Sequence, residues 1–246
     1  VHRGIPRNES TIRSRRVFYC WCGNCSHNET GTEQMKVTIF GATGALGSEC
    51  LKQSLEAGHE ITVLVRSAAK LAESVRNQVT CIEGDGLDPA SVATALSNGA
   101  DAVLFAIGVD KHSPEDLCAD VTKNIFSSMR EYDVGKFIWC GGGSNLLKED
   151  QVTFGAKFVE FFANTFLGLR QRDKTHQLEF LHENLDLNWI GVRPLQMRTG
   201  AMKGEYRLGF NKFSGMSVIH FADCAHAMVG MLGDDTWLHK APIIEY

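Results

Sequence analysis

The sequence predicts an α/β fold built on a doubly wound parallel sheet with helices on both faces, and three features carry that expectation. From Lys36 onward, short apolar stretches alternate with longer segments of helical periodicity. The short stretches are apolar at nearly every position instead of every second one, as strands buried on both faces are. The first of them runs directly into a glycine-rich turn, Gly41-Ala42-Thr43-Gly44-Ala45-Leu46-Gly47, that opens a helix.

Residues 37–40 are the first expected strand. Residues 45–57 follow as a helix that gathers Leu46, Cys50, Leu51, Ser54 and Leu55 on one face and ends at Gly58. A strand at 60–65, a helix at 68–75 and a strand at 79–83 come next. Asp88 as N-cap and Pro89 in the first turn start a helix that runs to Leu96. Residues 101–107 read as a near-continuous apolar strand, 115–132 as a helix and 136–140 as the fifth strand. Beyond a run of glycines, helical segments at 154–169 and 174–183 lead to a strand at 188–192. Nothing repeats beyond the strand-helix alternation and no linker divides it, so residues 35–246 are expected to form one domain.

Composition bounds the function. Of 246 residues 43% are hydrophobic and 22% charged, enough to bury a sizeable core, and the net charge of −4 offers no field that would gather nucleic acid. The most apolar window, 154–169, is broken by Lys157, Glu160 and Asn164, so no membrane span is expected. Five of the eight cysteines (Cys50, Cys81, Cys118, Cys140, Cys224) are scattered singly through periodic segments, which suits a reducing, cytoplasmic setting. The other three, Cys20, Cys22 and Cys25, crowd the first 34 residues, a stretch with five Arg, three Glu and no apolar periodicity. That extension is expected to be disordered. Free thiols are the favoured reading there over a zinc site made by these cysteines with His27, and an organelle leader is the lesser alternative to a plain tail.

The glycine turn carries the chemistry. Gly41 permits the tight turn, Gly44 leaves room for a diphosphate against the backbone, and Gly47 lets the helix pack closely on the strand. With Thr43, Ala45 and Leu46 these residues are the expected diphosphate site, where a helix N-terminus presents free amides and partial positive charge. The context is that of a Rossmann domain. An NAD site usually carries an acidic residue at the end of the second strand, but here Val63-Leu64-Val65 is followed by Arg66, whose guanidinium suits a 2′-phosphate. NADPH is therefore the expected cofactor, with Ser67 and Lys70 as secondary contacts. Asp85 falls at the adenine edge, or serves its own turn. Ala106, Ile107 and Gly108 end the fourth strand, small enough in part to let the cofactor lie on the backbone.

The chain resembles the atypical short-chain dehydrogenases of the biliverdin reductase B group, the NADPH-dependent flavin reductases. The matching residues are Lys36 to Gly47, Val63-Leu64-Val65-Arg66, Glu83-Gly84-Asp85, Asp101 to Leu104, Gly135-Lys136-Phe137 and Leu187 to Pro194. Residues 204–209 and 218–223 look like bacterial relatives of the same group, so the likeness covers about residues 35–246. It implies NADPH binding and reduction of a planar acceptor: a flavin, a biliverdin-type tetrapyrrole or a quinone. Where that group has a pocket serine, this chain has Gly142, and where it has a pocket histidine the alignment falls near Glu179. No acid or base is carried over.

Candidates for the acceptor pocket are Gly141 to Ser144, with Ser144 the candidate catalytic hydroxyl, the turn 193–197, in which Pro194 is expected to touch the cofactor, and an aromatic stripe. That stripe, Phe154, Phe158, Phe161, Phe162 and Phe166, reads first as core or subunit interface and second as a lid. His112 reads as a surface-loop residue, or as one that faces the nicotinamide. Tyr132 and Lys136 have the spacing of the common short-chain dehydrogenase pair but precede the fifth strand, and no tyrosine lies in the helix after it. A Tyr-Lys proton transfer, and with it a sugar-nucleotide epimerase, is not expected. Stacking an acceptor on the nicotinamide lowers the barrier by several kcal/mol through orientation alone, with water as proton source. The sequence thus points to a reductase of a planar small molecule. The alternative is a noncatalytic NADP(H)-binding sensor or scaffold.

Overall fold

The computed structural model describes residues 33–143, 145, 147–151, 168–211 and 217–246. The expectations for Cys20, Cys22, Cys25, His27, Ser144 and the aromatic stripe lie outside the described residues.

The chain opens with β1 (Lys36–Phe40), α1 (Ala45–Glu56), β2 (Glu60–Val65), the short α2 (Glu73–Arg76), β3 (Thr80–Glu83), α3 (Pro89–Leu96) and β4 (Ala102–Phe105). It continues through α4 (Leu117–Tyr132), β5 (Lys136–Cys140), α5 (Gly168–Glu183), β6 (Trp189–Pro194), β7 (Gln196–Arg198), β8 (Arg207–Gly209), β9 (Val218–His220), α6 (Phe221–Gly230) and β10 (Ile243–Glu245). Eight strands form one sheet in the order β3-β2-β1-β4-β5-β6-β10-β8, parallel except for β8, which runs against β10. β7 and β9 pair separately.

Continuous apolarity in the strands has the predicted cause. Val37 and Ile39 of β1, Leu104 of β4, Ile138 of β5 and Ile190 of β6 enter the core covered by α1 and α6. Their alternates Phe40, Phe105, Phe137 and Trp189 enter the other core, with Leu96, Ile125 and Phe126 from α3 and α4. Both faces are therefore covered, which is the doubly wound arrangement. No helix among the described residues is long and apolar enough to cross a membrane.

Three expectations need correction. The helix at 68–75 is a 3-10 turn at Ala68–Lys70 followed by α2. Leu71 breaks it by taking extended backbone (φ −92°, ψ 137°) while its side chain is buried, and the Ala68 amide is drawn off to the carboxylate of Glu83 (2.6 Å). α4 begins at Leu117, not at 115, because Asp116 sits in the left-handed region at φ 56°. The strand expected at 188–192 continues to Pro194, and β10 pairs beside it, with Ile243 opposite Arg193.

Candidate functional site

Chain order reverses direction between β1 and β4, and the carboxyl ends of the flanking strands part there into a crevice of about 330 Å³. Its shape depends on the glycine turn. Gly41 has φ +85°, and a Cβ on it would lie 2.8 Å from the carbonyl carbon and oxygen of Ala106. A Cβ on Gly47 would lie 2.0 Å from the carbonyl oxygen of Gly41, so only glycine lets α1 start this close to β1. The Gly44 amide closes the turn on the Gly41 carbonyl (3.0 Å), and the first helical bond runs from the Ser48 amide to the Gly44 carbonyl (2.8 Å). The amides of Ala45, Leu46 and Gly47 thus precede any helical acceptor and are available to an anion.

Gly41, Thr43, Gly44, Arg66, Asp85, Ala106, Ile107 and Gly108 all line this one crevice. Arg66 is exposed, and among the described residues it makes no salt bridge. Glu83 accepts the Ala68 amide (2.6 Å) and makes no salt bridge with that guanidinium. Asp85 lines the crevice and accepts the Leu87 amide (2.9 Å) in its own turn. His112 lines the same wall, beside Asp110, Ser113 and Pro114.

Other expected site residues lie elsewhere. Ala45 is exposed at the helix start and Leu46 is buried in the core, so with Gly47 they offer backbone, not side chains. Pro194 is buried at the end of β6, away from the crevice lining, where its carbonyl accepts the Gly143 amide (2.9 Å). Arg193, placed by the sequence in the acceptor pocket, is fully buried. Its guanidinium donates to both carboxylate oxygens of Asp150 (2.7 and 2.9 Å) and to the carbonyls of Asn145 (2.6 Å) and Ala241 (2.5 Å). A buried charge needs such partners, and with four of its five N–H groups engaged and its side chain at 0% exposure it faces no ligand.

The helix expected at 174–183 is the greater part of α5, but sequence reasoning missed the roles of its side chains. Five consecutive residues there each reach a different place. Both oxygens of Asp173 accept amides at the start of α4, from Cys118 and Ala119 (3.0 Å each). The Lys174 ammonium donates to the carbonyls of Cys140 (3.2 Å) and Ile107 (3.5 Å) and to Oε1 of Gln177 (3.2 Å). Thr175 accepts from Asn145 (2.8 Å), His176 Nδ1 lies 2.7 Å from Asp116, and Gln177 donates to Thr122 (2.8 Å). Lys174 therefore places a cation at the carboxyl ends of β4 and β5. A lysine in the helix after the fifth strand was the available signal, passed over because no tyrosine accompanies it.

The buried thiols belong to the core. Burial pushes Cys118 up to about 11 and Cys50 well above the ordinary thiol value. A hydrogen bond with Cys224 holds Cys140 below that value while raising Cys224. No cluster able to hold a metal occurs among the described residues.

Comparison with known proteins agrees with this geometry. A family model described as NAD(P)H-binding matches residues 41–235. The YwnB protein of Bacillus subtilis (strain 168) is 26% identical over 204 residues, spanning 80% of this chain and 92% of that protein. A solved structure from Burkholderia pseudomallei, 26% identical, matches with a TM-score of 0.72 over 87% of this chain and 100% of its own. The anaerobillin reductase ChuY of Escherichia coli O157:H7 matches with a TM-score of 0.70 over 85% of this chain and 96% of its own; at 17% identity that is a likeness of fold.

Proposed function

The chain belongs to the NAD(P)H-binding family, and on that premise we propose that it is an NADPH-dependent reductase of a planar acceptor: a flavin, a biliverdin-type tetrapyrrole or a quinone. One observation carries the reading. The crevice joins a glycine cradle, three amides without helical acceptors and the guanidinium of Arg66, which makes no salt bridge among the described residues. Those groups fit a diphosphate and a 2′-phosphate.

In this reading Gly41, Thr43 and Gly44 receive the diphosphate with the amides of Ala45, Leu46 and Gly47. Arg66 holds the 2′-phosphate, Asp85 lies at the adenosine, and Ala106, Ile107 and Gly108 back the centre of the cofactor. Lys174 is the cation at the nicotinamide end, Pro194 supports the turn there through Gly143, and Ser144 is the candidate hydroxyl on the acceptor side. The nicotinamide supplies the hydride. The chain's own part is to hold two flat rings in register, which by itself lowers the barrier by several kcal/mol. A cytoplasmic setting suits both the cofactor and five unpaired cysteines.

The test is acceptor-dependent oxidation of NADPH across flavins, quinones, biliverdin and simple carbonyls. Saturable turnover with a planar acceptor supports the reading, and inactivity with all of them ends it. Tight NADPH binding with no turnover would favour the sensor or scaffold reading, which the side-chain-free run Gly141 to Gly143 also suits.

A further inference from the structure

Among the described residues, the acceptors that hold the half-buried ammonium of Lys174 are neutral. It donates to two main-chain carbonyls and to the carboxamide oxygen of Gln177, and it lies 5.4 Å from the centroid of the Phe105 ring. Among the described residues Lys174 makes no salt bridge; the carboxylate of its neighbour Asp173 turns to the Cys118 and Ala119 amides, and both side chains lie close to the Cys118 thiol.

Gln177 is fully buried, and its orientation follows from its other partner. The hydroxyl of Thr122 donates to the Cys118 carbonyl (2.7 Å), so its oxygen has only acceptor capacity left for Gln177. The carboxamide must therefore turn its nitrogen to Thr122 (2.8 Å) and its oxygen to Lys174 (3.2 Å). The chain Lys174, Gln177, Thr122, Cys118 is a one-way relay of neutral groups. A glutamate of the same length would also accept from Lys174 but would cancel its charge. Glutamine orients the ammonium and leaves the charge intact in a setting where low dielectric strengthens it.

We propose that Gln177 is a positioning residue that fixes the Lys174 ammonium, held by neutral acceptors, at the ends of β4 and β5, making the site selective for acceptors that become anions when they take up hydride. This rests on the reductase reading above. The acceptor gains a hydride, two electrons and one proton, from the dihydronicotinamide, which is oxidised. The new bond, N–H on a flavin, O–H on a quinone or C–H on a tetrapyrrole, leaves one negative charge delocalised on the acceptor, toward Lys174. Water then donates the second proton and leaves as hydroxide. Flavins and quinones meet this requirement, with the charge carried on a ring nitrogen and oxygen or on a phenolate. An isolated aliphatic carbonyl, whose alkoxide is a far stronger base, is not expected to be reduced without a nearby acid.

The test compares wild type with Gln177→Glu and Gln177→Met in full-length protein, with NADPH affinity confirming that each variant is folded. With a quinone or flavin acceptor, both variants should lose about tenfold or more in kcat, while the NADPH Kd stays within about twofold. Independently of activity, 15N NMR of the lysine ammonium groups at low temperature should show a protected signal that Lys174→Arg deletes and Gln177→Met removes. Wild-type kcat in both variants overturns the inference and leaves the reductase reading standing. If the wild type reduces no acceptor, the reductase reading fails instead, and a protected signal unchanged in Gln177→Met overturns the positioning role on its own.

Discussion

The carboxylate of Asp150 and the guanidinium of Arg193 face each other through two hydrogen bonds of 2.7 and 2.9 Å, with both side chains at 0% exposure. The pair fastens the loop after β5 to the end of β6, so a buried charge pair, with Leu147 packed on the core beside it, sets the wall that follows Gly143. Removing one partner strands the other in the interior. Asp150→Ala should cost about 3–5 kcal/mol in urea unfolding, and Asp150→Leu combined with Arg193→Met should recover most of it. A loss under about 1 kcal/mol in the single variant would show that the pair adds little.

Arg66 offers the sharpest cofactor test. Fluorescence titration should show wild type preferring NADPH over NADH. Arg66→Ala should weaken NADPH by roughly ten- to a hundredfold, the worth of a charge-assisted hydrogen bond, and leave NADH unchanged. Equal wild-type affinities would remove Arg66 from the 2′-phosphate.

Gly41→Ala and Gly47→Ala should each abolish cofactor binding. The first forces an alanine to φ +85° and against Ala106; the second drives a methyl group to 2.0 Å from the Gly41 carbonyl oxygen. A thermal shift with and without NADPH measures both effects, and a stability loss of at least about 2 kcal/mol should accompany the first. Gly58→Ala, also at positive φ (+83°) but in open space, should lose stability and keep NADPH binding.

Mild acid should weaken the fold through two histidines. Burial holds the imidazoles of His59 and His226 below the ordinary value of 6.5, so the unfolded chain binds more protons than the folded one just below that pH. Stability should therefore fall as pH drops from 6.5 toward the lower folded values, and level off above 6.5 until the unfolded thiols ionise near 9.0, where the raised Cys50, Cys118 and Cys224 make it fall again. Urea midpoints across the acid range should flatten in His226→Gln. Lower in the titration, hydrogen bonds from Ser91 depress the carboxyl of Asp88, so its capping contribution is present above its unfolded value and lost as pH falls through its folded one.

The fold was legible wherever burial is symmetric. β1, β4, β5 and β6 sit between two layers, and their unbroken apolarity announces it. The cofactor half was legible too, because Gly41 and Gly47 are required by clashes with main chain that a strand-turn-helix context implies. The second half was not. β7, β8 and β9 have three residues each, too short for a period, and Arg193 in sequence looks like any strand-end cation until Asp150 is seen beneath it. Lys174 left one trace, its place in the helix after the fifth strand, but two of its partners are the carbonyls of Ile107 and Cys140, and main-chain acceptors leave no mark in a residue pattern.

The sheet order has a consequence for biosynthesis. Residues 207–209 join the sheet only through Ile243–Glu245, which also flank Arg193 and Pro194 on β6. A nascent chain leaving the ribosome can complete the nucleotide-holding half early, yet it must keep β8 waiting for more than thirty residues before its partner emerges. Late-acting chaperones, and proteases that read an unpaired rim, would meet this protein through that delayed corner.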